Sequence, residues 1–301
     1  MSAPPNRSID DETDARRYST VSFLSDYGNV DEFVGIVKAV IADLAPHVAV
    51  IDVTHEIAAF DVRAGSLSLA RSIQYLPSGV VLAVVDPGVG TSRRAIAVEV
   101  AGGAGVIVGP DNGLLAPAVA MAGGADRAVV LDRTEWHLDA PGATFAGRDV
   151  FAPVVAQLCN GVPLEELGTL IDADLLLPGV VPVPREEDGG LACEVTWVDR
   201  YGNCQLNLGP DDIASWGDRV RITINGTSRS AAIVSTFADI GAGIALVIDS
   251  YGMLAVCADR QSAALELGLA SGTAVHLSPL TDDDRTDAPT TSVSLRTKPV
   301  A

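Results

Sequence analysis

The chain is short of positive charge. Of its 301 residues, 20 are Lys or Arg against 39 Asp or Glu, a formal net charge of −19. Such a field repels phosphate, so neither nucleic acid nor an anionic membrane surface is an expected partner; a small cation suits it better. Cysteine is also scarce. Cys159, Cys193, Cys204 and Cys257 are scattered with no CxxC pair, which reads as buried free thiols rather than a metal or redox site. No apolar stretch reaches the ~18 residues of a membrane span. The N-terminus lacks the basic head and apolar core of a secretory leader, so the cytoplasm is the expected location. The four histidines, His47, His55, His137 and His276, show no HxH or HxxxH spacing, and no metal is expected. GxSxG, GKS/GKT and a GxGxxG after the first strand are all missing. That disfavours an acyl-transfer serine, a nucleotide phosphate and a dinucleotide.

What is present is enough to fold. The chain is 48% hydrophobic and 20% charged, so it can bury a core, and its length suits two domains. Residues 1–18 and 280–301 are polar and read as disordered tails. Over 19–178, strand-like runs (Thr20–Leu24, Val48–Val53, Val80–Val85, Ala95–Val100, Gly105–Val108) alternate with helical spacing (Asp31–Leu44, Val62–Leu76, Val150–Leu158). This predicts an α/β domain with a largely parallel central sheet. Residues 179–190 read as a linker, rich in proline, charge and glycine. Over 191–279 helical spacing mostly vanishes, and Cys193–Val198, Arg219–Ile224, Ile244–Ile248 and Ala274–Leu277 predict a small all-β, barrel-like domain.

Six segments carry chemistry. In Val85–Arg94 (VDPGVGTSRR), Asp86 and Arg93 stand seven residues apart just after an apolar strand. Open α/β sheets hold ligands at that end of their strands. The two side chains read as a polarising pair in a dry pocket or as surface charges of a plain loop; Arg94 reads as solvated. In SDYGNVD, Asp26 follows a strand and suits a ribose diol or a turn, while Asp31 suits a helix cap. Gly109–Leu115 (GPDNGLL) is a strong turn or an active-site wall. Thr144–Pro153 (TFAGRDVFAP) opens a helix, with Asp149 near its start, and its free N–H groups either face a ligand or do not. Val198–Asn203 (VDRYGN) and Asp249–Leu254 (DSYGML) are turns between strands of the β domain. Trp136, Trp197 and Trp216 read as core or interface, and His55 as a lone base has no supporting pattern.

Taken in order, FLSDYGNVDEFVG, VVDPGVGTSRR, GPDNGLL, TFAGRDVFAPV, VDRYGN and SYGML resemble the S-adenosyl-L-methionine hydroxide adenosyltransferase family, whose relatives include fluoride- and chloride-using adenosyl halogenases. The likeness spans roughly residues 19–278. It implies hydrolysis of S-adenosyl-L-methionine to adenosine and L-methionine by water or hydroxide attack at C5′, with S-adenosyl-L-methionine as substrate and no cofactor. It implies a homotrimer with active sites at subunit interfaces. It also assigns roles: Asp26 to the ribose hydroxyls, Phe60 and Gly147 beside the substrate, Asp199 to the methionine ammonium, Asn203 to the adenine edge, and Tyr251 to the substrate wall. Asp86 and Arg93 match two members of the hydrolases' polar triad. The third, a histidine within TFHGRD, is Ala146 here, which implies weaker water activation.

The halogenases fit less well. Fluoride enzymes of this resemblance carry serine where this chain has Gly147, and chloride enzymes carry tyrosines where it has Val89 and Ala146. Both lack an acid at Asp86, and the 14 residues between Arg94 and Gly109 leave no room for the fluoride enzymes' extra loop. The rival expectations are a non-catalytic S-adenosylmethionine- or adenosine-binding protein and, further off, a halide-dependent adenosyl transferase.

Overall fold

The computed structural model describes residues 18–280, in two units that divide between Val181 and Pro182. The tail readings for 1–17 and 281–301 lie outside the described residues. Tyr18 is no part of a loose tail. It is buried, and its hydroxyl donates to the Gly103 carbonyl at 3.0 Å.

The first unit contains β1 (Thr20–Ser25), α1 (Phe33–Leu44), β2 (Ala49–Thr54), α2 (Val62–Ser72), β3 (Gly79–Val84), β4 (Ala95–Val100), β5 (Gly105–Pro110), α3 (Ala116–Met121), β6 (Ala125–Val130), α4 (Ala152–Cys159) and β7 (Thr169–Ile171). Its seven-stranded sheet has the order β2-β1-β3-β5-β4-β6-β7. The pairings β2–β1, β1–β3 and β3–β5 are parallel, whereas β4 and β7 run against their neighbours. β3 shows why the sheet is central. All six of its residues are buried, and they alternate between two cores. Val80, Leu82 and Val84 pack with Val37, Ile41 and Val155 of α1 and α4. Val81 and Ala83 pack with Leu69 and Ala118 of α2 and α3. A strand covered on both faces reads as a continuous apolar run.

The chain passes from β1 outward to β2, then back across β1 to β3. The carboxyl ends of β1 and β3 therefore flank a topological switch point, where open sheets leave a crevice. Helix α1 begins at Phe33 behind Glu32, with no side-chain cap, so Asp31 is not the capping residue. Before α4 the chain makes a π-helical turn, Gly147–Phe151, rather than a regular first turn. Asp149 lies inside it, buried and paired with Arg148 (2.5 Å).

The second unit contains β8 (Arg185–Glu187), β9 (Gly190–Val198), β10 (Cys204–Leu206), β11 (Arg219–Ile224), β12 (Thr227–Val234), β13 (Ile244–Ile248), β14 (Leu254–Ala258), α5 (Ala263–Leu267) and β15 (Ala274–Pro279). The order β10-β14-β13-β12-β11-β15-β9 closes through a β9–β10 pairing into a seven-stranded barrel. Val195, Leu206, Leu246 and Val256 fill its interior. The supposed linker departs from expectation in its second half. Arg185–Glu187 pairs with Gly190–Ala192 across the two-residue turn Asp188-Gly189, both at positive φ (48° and 72°). Asp-Gly is a preferred pair for such a hairpin. All four cysteines are free and buried, and burial pushes the Cys159, Cys193 and Cys257 thiols up to about 12 and Cys204 to about 11.

Candidate active site

Asp26 and Asp86 follow the adjacent strands β1 and β3 at the switch point, and the Asp26 N–H donates to the Val84 carbonyl (3.3 Å). Asp86 is gripped in two places by Arg93. Nε donates to Oδ1 at 3.0 Å, and Nη2 pairs with Oδ2. Both side chains are nearly buried, at 6% and 12% exposure. The guanidinium also lies 5.6 Å from the centre of the Phe151 ring. The Pro87–Gly90 turn makes this pairing possible, because it folds the chain back after seven residues. Its Val89 N–H donates to the Asp86 carbonyl, and Gly90 sits at φ 77°. Burial raises the Asp86 carboxyl above its ordinary range; Arg93 opposes that shift, and the nearby charge of Asp26 adds to it. A buried carboxylate of raised basicity beside a fixed cation suits proton transfer.

Asp26 Oδ2 accepts the Phe60 N–H at 2.9 Å. Phe60 itself holds a positive φ (69°) and exposes its ring. Tyr27, which sequence reasoning passed over, stands in the middle of this group. Burial raises its hydroxyl pKa first, then the charges of Asp26 and Asp86, while Gly147 and Arg93 counteract. Its ring packs edge-on to Phe23 and Phe145. Gly147 has no room for a side chain, since a Cβ there would meet the Tyr27 hydroxyl. Ala146 precedes it and shares with Arg93 the wall of a cavity of about 550 Å³, also lined by Ser92, His137 and Asp149. Thus Asp26, Phe60, Asp86, Arg93, Ala146 and Gly147 gather around the ends of β1 and β3.

Two neighbouring segments turn out to be structural. Arg94 is only partly solvated; it pairs with the buried Asp111 and donates Nε to Oδ2 at 2.8 Å. Asn112 Nδ2 donates to the Val85 carbonyl (2.9 Å). The GPDNG turn therefore braces the strand end from behind.

In the second unit, Asp199, Asn203 and Tyr251 line one cavity of about 410 Å³ on the outer face of the barrel. Asp199 Oδ1 accepts the Tyr201 and Asn203 N–H groups (2.8 and 2.9 Å), and Oδ2 accepts Asn203 Nδ2 (2.7 Å). Asp249 repeats this turn, accepting from the N–H groups of Tyr251 and Met253 and from Gln205 Nε2 (2.5 Å). Trp197, read as core or interface, lines the cavity and packs edge-on to Tyr251. Phe237 lines it too and is half exposed. The paired DxYG turns were the available signal for Asp249; nothing in the sequence pointed to Phe237 or Gln205. Among the described residues no cluster of three His, Cys, Asp or Glu could hold a metal ion.

Comparison with known proteins decides the family. Residues 21–168 match the SAM hydroxide adenosyltransferase N-terminal domain and residues 193–276 its C-terminal domain. The chain belongs to the SAM hydroxide adenosyltransferase family. Within that family it is 44% identical to an (R)-S-adenosyl-L-methionine hydrolase of Salinispora tropica, over 84% of this chain and 95% of that one. It is 27% identical to a fluorinase of an Actinoplanes species, over 85% and 96%. An uncharacterized conserved protein of Thermotoga maritima shares the fold with a TM-score of 0.78 and 33% identity, over 86% of this chain and 99% of that one.

Proposed function

We propose that this family member hydrolyses S-adenosyl-L-methionine to adenosine and L-methionine. The observation that carries the reading is the buried Asp86–Arg93 pair at the end of β3, beside Asp26 at the end of β1. The hydrolase-named relative at 44% identity supports it.

The chemistry asks little of the protein. The oxygen of a water forms a bond to C5′ while the C5′–S bond breaks, and its electron pair neutralises the sulfonium. Methionine leaves as a neutral thioether, so neither a leaving-group acid nor a cofactor is needed. The water must lie in line with the bond and give up a proton. Asp86 accepts that proton, which then passes to solvent. Arg93 orients Asp86 and stabilises the developing hydroxide. Among the described residues the Asp26 carboxylate takes the Phe60 N–H at Oδ2, which leaves Oδ1 for the ribose hydroxyls. The aromatic and acidic cavity of the barrel unit suits a purine and an ammonium group, with Asp199, Asn203 and Tyr251 as the contacts proposed. Ala146 offers no acid–base group, so turnover is expected to be slow.

A homotrimer is the assembly proposed, on the family resemblance, and its mass in solution tests it. The cytoplasm is the compartment proposed, where reducing conditions keep the four thiols free. Among the described residues no helix is long and apolar enough to cross a membrane.

The deciding experiment is incubation with S-adenosylmethionine, with and without about 0.5 M chloride, well above the ~0.1 M that screens exposed charges, read by mass spectrometry. Equal amounts of adenosine and methionine, with no halonucleoside, are expected. Intact substrate retained by the protein would favour a binding protein. A halonucleoside would favour a halide-dependent transferase.

A further inference from the structure

One hydrogen-bond chain, buried at His55 and Ser25 and open to solvent at Asp52, lies behind the site and takes no part in the proposed chemistry. His55 follows β2 and is 3% exposed. Its Nε2 lies 3.2 Å from Asp52 Oδ1 and its Nδ1 2.8 Å from Ser25 Oγ. Burial alone would raise the Asp52 carboxyl, but hydrogen bonds from Lys38 and His55 hold it below the usual carboxylate range. Asp52 is therefore an acceptor only, so Nε2 carries a proton, and in the neutral ring Nδ1 accepts. Ser25 then donates its hydroxyl hydrogen to Nδ1. Its oxygen in turn accepts the Tyr27 N–H at 3.3 Å. The His55 carbonyl accepts the Gly28 N–H at 2.8 Å. The ring is wedged edge-on against Phe23 at 4.7 Å.

The three residue types suggest a nucleophilic triad, but the burial of the serine excludes one. Ser25 is fully buried, so although its hydroxyl donates into the ring, His55 has no substrate-facing nucleophile to activate. What the chain does contact is the backbone on either side of Asp26. The Ser25–Gly28 loop is held by His55 through Ser25 on one flank and through the carbonyl at Gly28 on the other.

We propose that His55 is a positioning residue for the substrate-binding loop Ser25–Gly28: by fixing Ser25, Tyr27 and Gly28 it sets where the Asp26 carboxylate meets the ribose. Asp52 and Lys38 set the tautomer from outside the site, at 2.9 Å from each other. The inference rests on the proposed ribose role of Asp26.

The test compares the full-length protein with His55→Ala, His55→Asn and Ser25→Ala. Adenosine affinity is read by calorimetry, kcat and KM by product formation, and folding by thermal denaturation. Loss of one hydrogen bond in such a chain corresponds to about a 5- to 10-fold effect. His55→Ala and Ser25→Ala are each expected to weaken adenosine binding and raise KM by about that factor, with a smaller change in kcat. His55→Asn keeps an acceptor near the Nδ1 position and is expected to restore most of the affinity. Folded variants with lower melting temperatures but unchanged adenosine affinity and KM would overturn the proposal while leaving the hydrolase reading standing. Ser25→Ala removes a single oxygen, so it keeps the test decisive even if His55→Ala fails to fold. If the unsubstituted protein binds no adenosine, the ribose role of Asp26 and the positioning role fall together.

Discussion

Asp86→Asn is expected to lower kcat by ~10²–10⁴-fold with S-adenosylmethionine affinity nearly unchanged, as measured by separate kinetic and calorimetric titration. Equal loss of affinity would remove Asp86 from its role as base. The Asp86–Arg93 pair was legible because a rigid turn links two charged residues over a short span. Tyr27 was not legible, since its importance comes from packing among groups distant in sequence. The partners of His55 were hidden for the same reason, coming from two strands. Because burial raises the Asp86 carboxyl, the catalytically competent base form appears at higher pH than for an ordinary carboxylate. kcat should therefore climb with pH along a limb displaced upward from that of a free carboxyl, and that limb should vanish in Asp86→Asn. The stability linkage has the matching sign: a raised folded pKa contributes stability at low pH that is lost as pH rises through it. Ala146 lines an open cavity with Arg93, so a larger side chain has room. Ala146→His is expected to raise kcat by ~10-fold or more; a lower rate would mean that the site activates water by another geometry.

Elements with a long one-sided or continuous apolar pattern were legible, and short ones were not. β3 and α1 announce themselves by burial pattern. β10 has three residues, α3 has six, and half of β12 is exposed and polar. Such strands are held by the ring of neighbours that closes the barrel rather than by their own periodicity. The β8–β9 hairpin is different, since its Asp-Gly turn was a local signal hidden in a stretch of linker-like composition. Gly189 has open space around its missing Cβ, so replacing it tests the backbone alone. Gly189→Ala should cost about 1 kcal/mol from the positive φ, seen as a melting temperature lower by about 2–4 °C. Asp188→Asn should be neutral, because asparagine suits the same conformation. An unchanged Gly189→Ala would mean that this hairpin contributes nothing to the cooperative unfolding.

At the scale of the whole molecule the composition itself makes a claim. A net charge of −19 surrounds a reaction whose proposed substrate carries a sulfonium, an ammonium and one carboxylate, hence one net positive charge. Its products are a neutral nucleoside and a zwitterion. The field should therefore draw the substrate in and hold neither product, an asymmetry that favours turnover. Screening weakens the attraction between well-separated charges once the Debye length falls below ~10 Å. Between low salt and about 0.5 M, kcat/KM is expected to fall by roughly 2- to 5-fold, with kcat little changed because saturation removes the encounter step. Sodium chloride and sodium acetate at equal ionic strength separate this from halide chemistry. Matching declines in the two salts would assign the effect to screening. A rate that rises with chloride and not with acetate would make chloride a reactant, and with it would fall the assignment of water as the nucleophile beside Asp86.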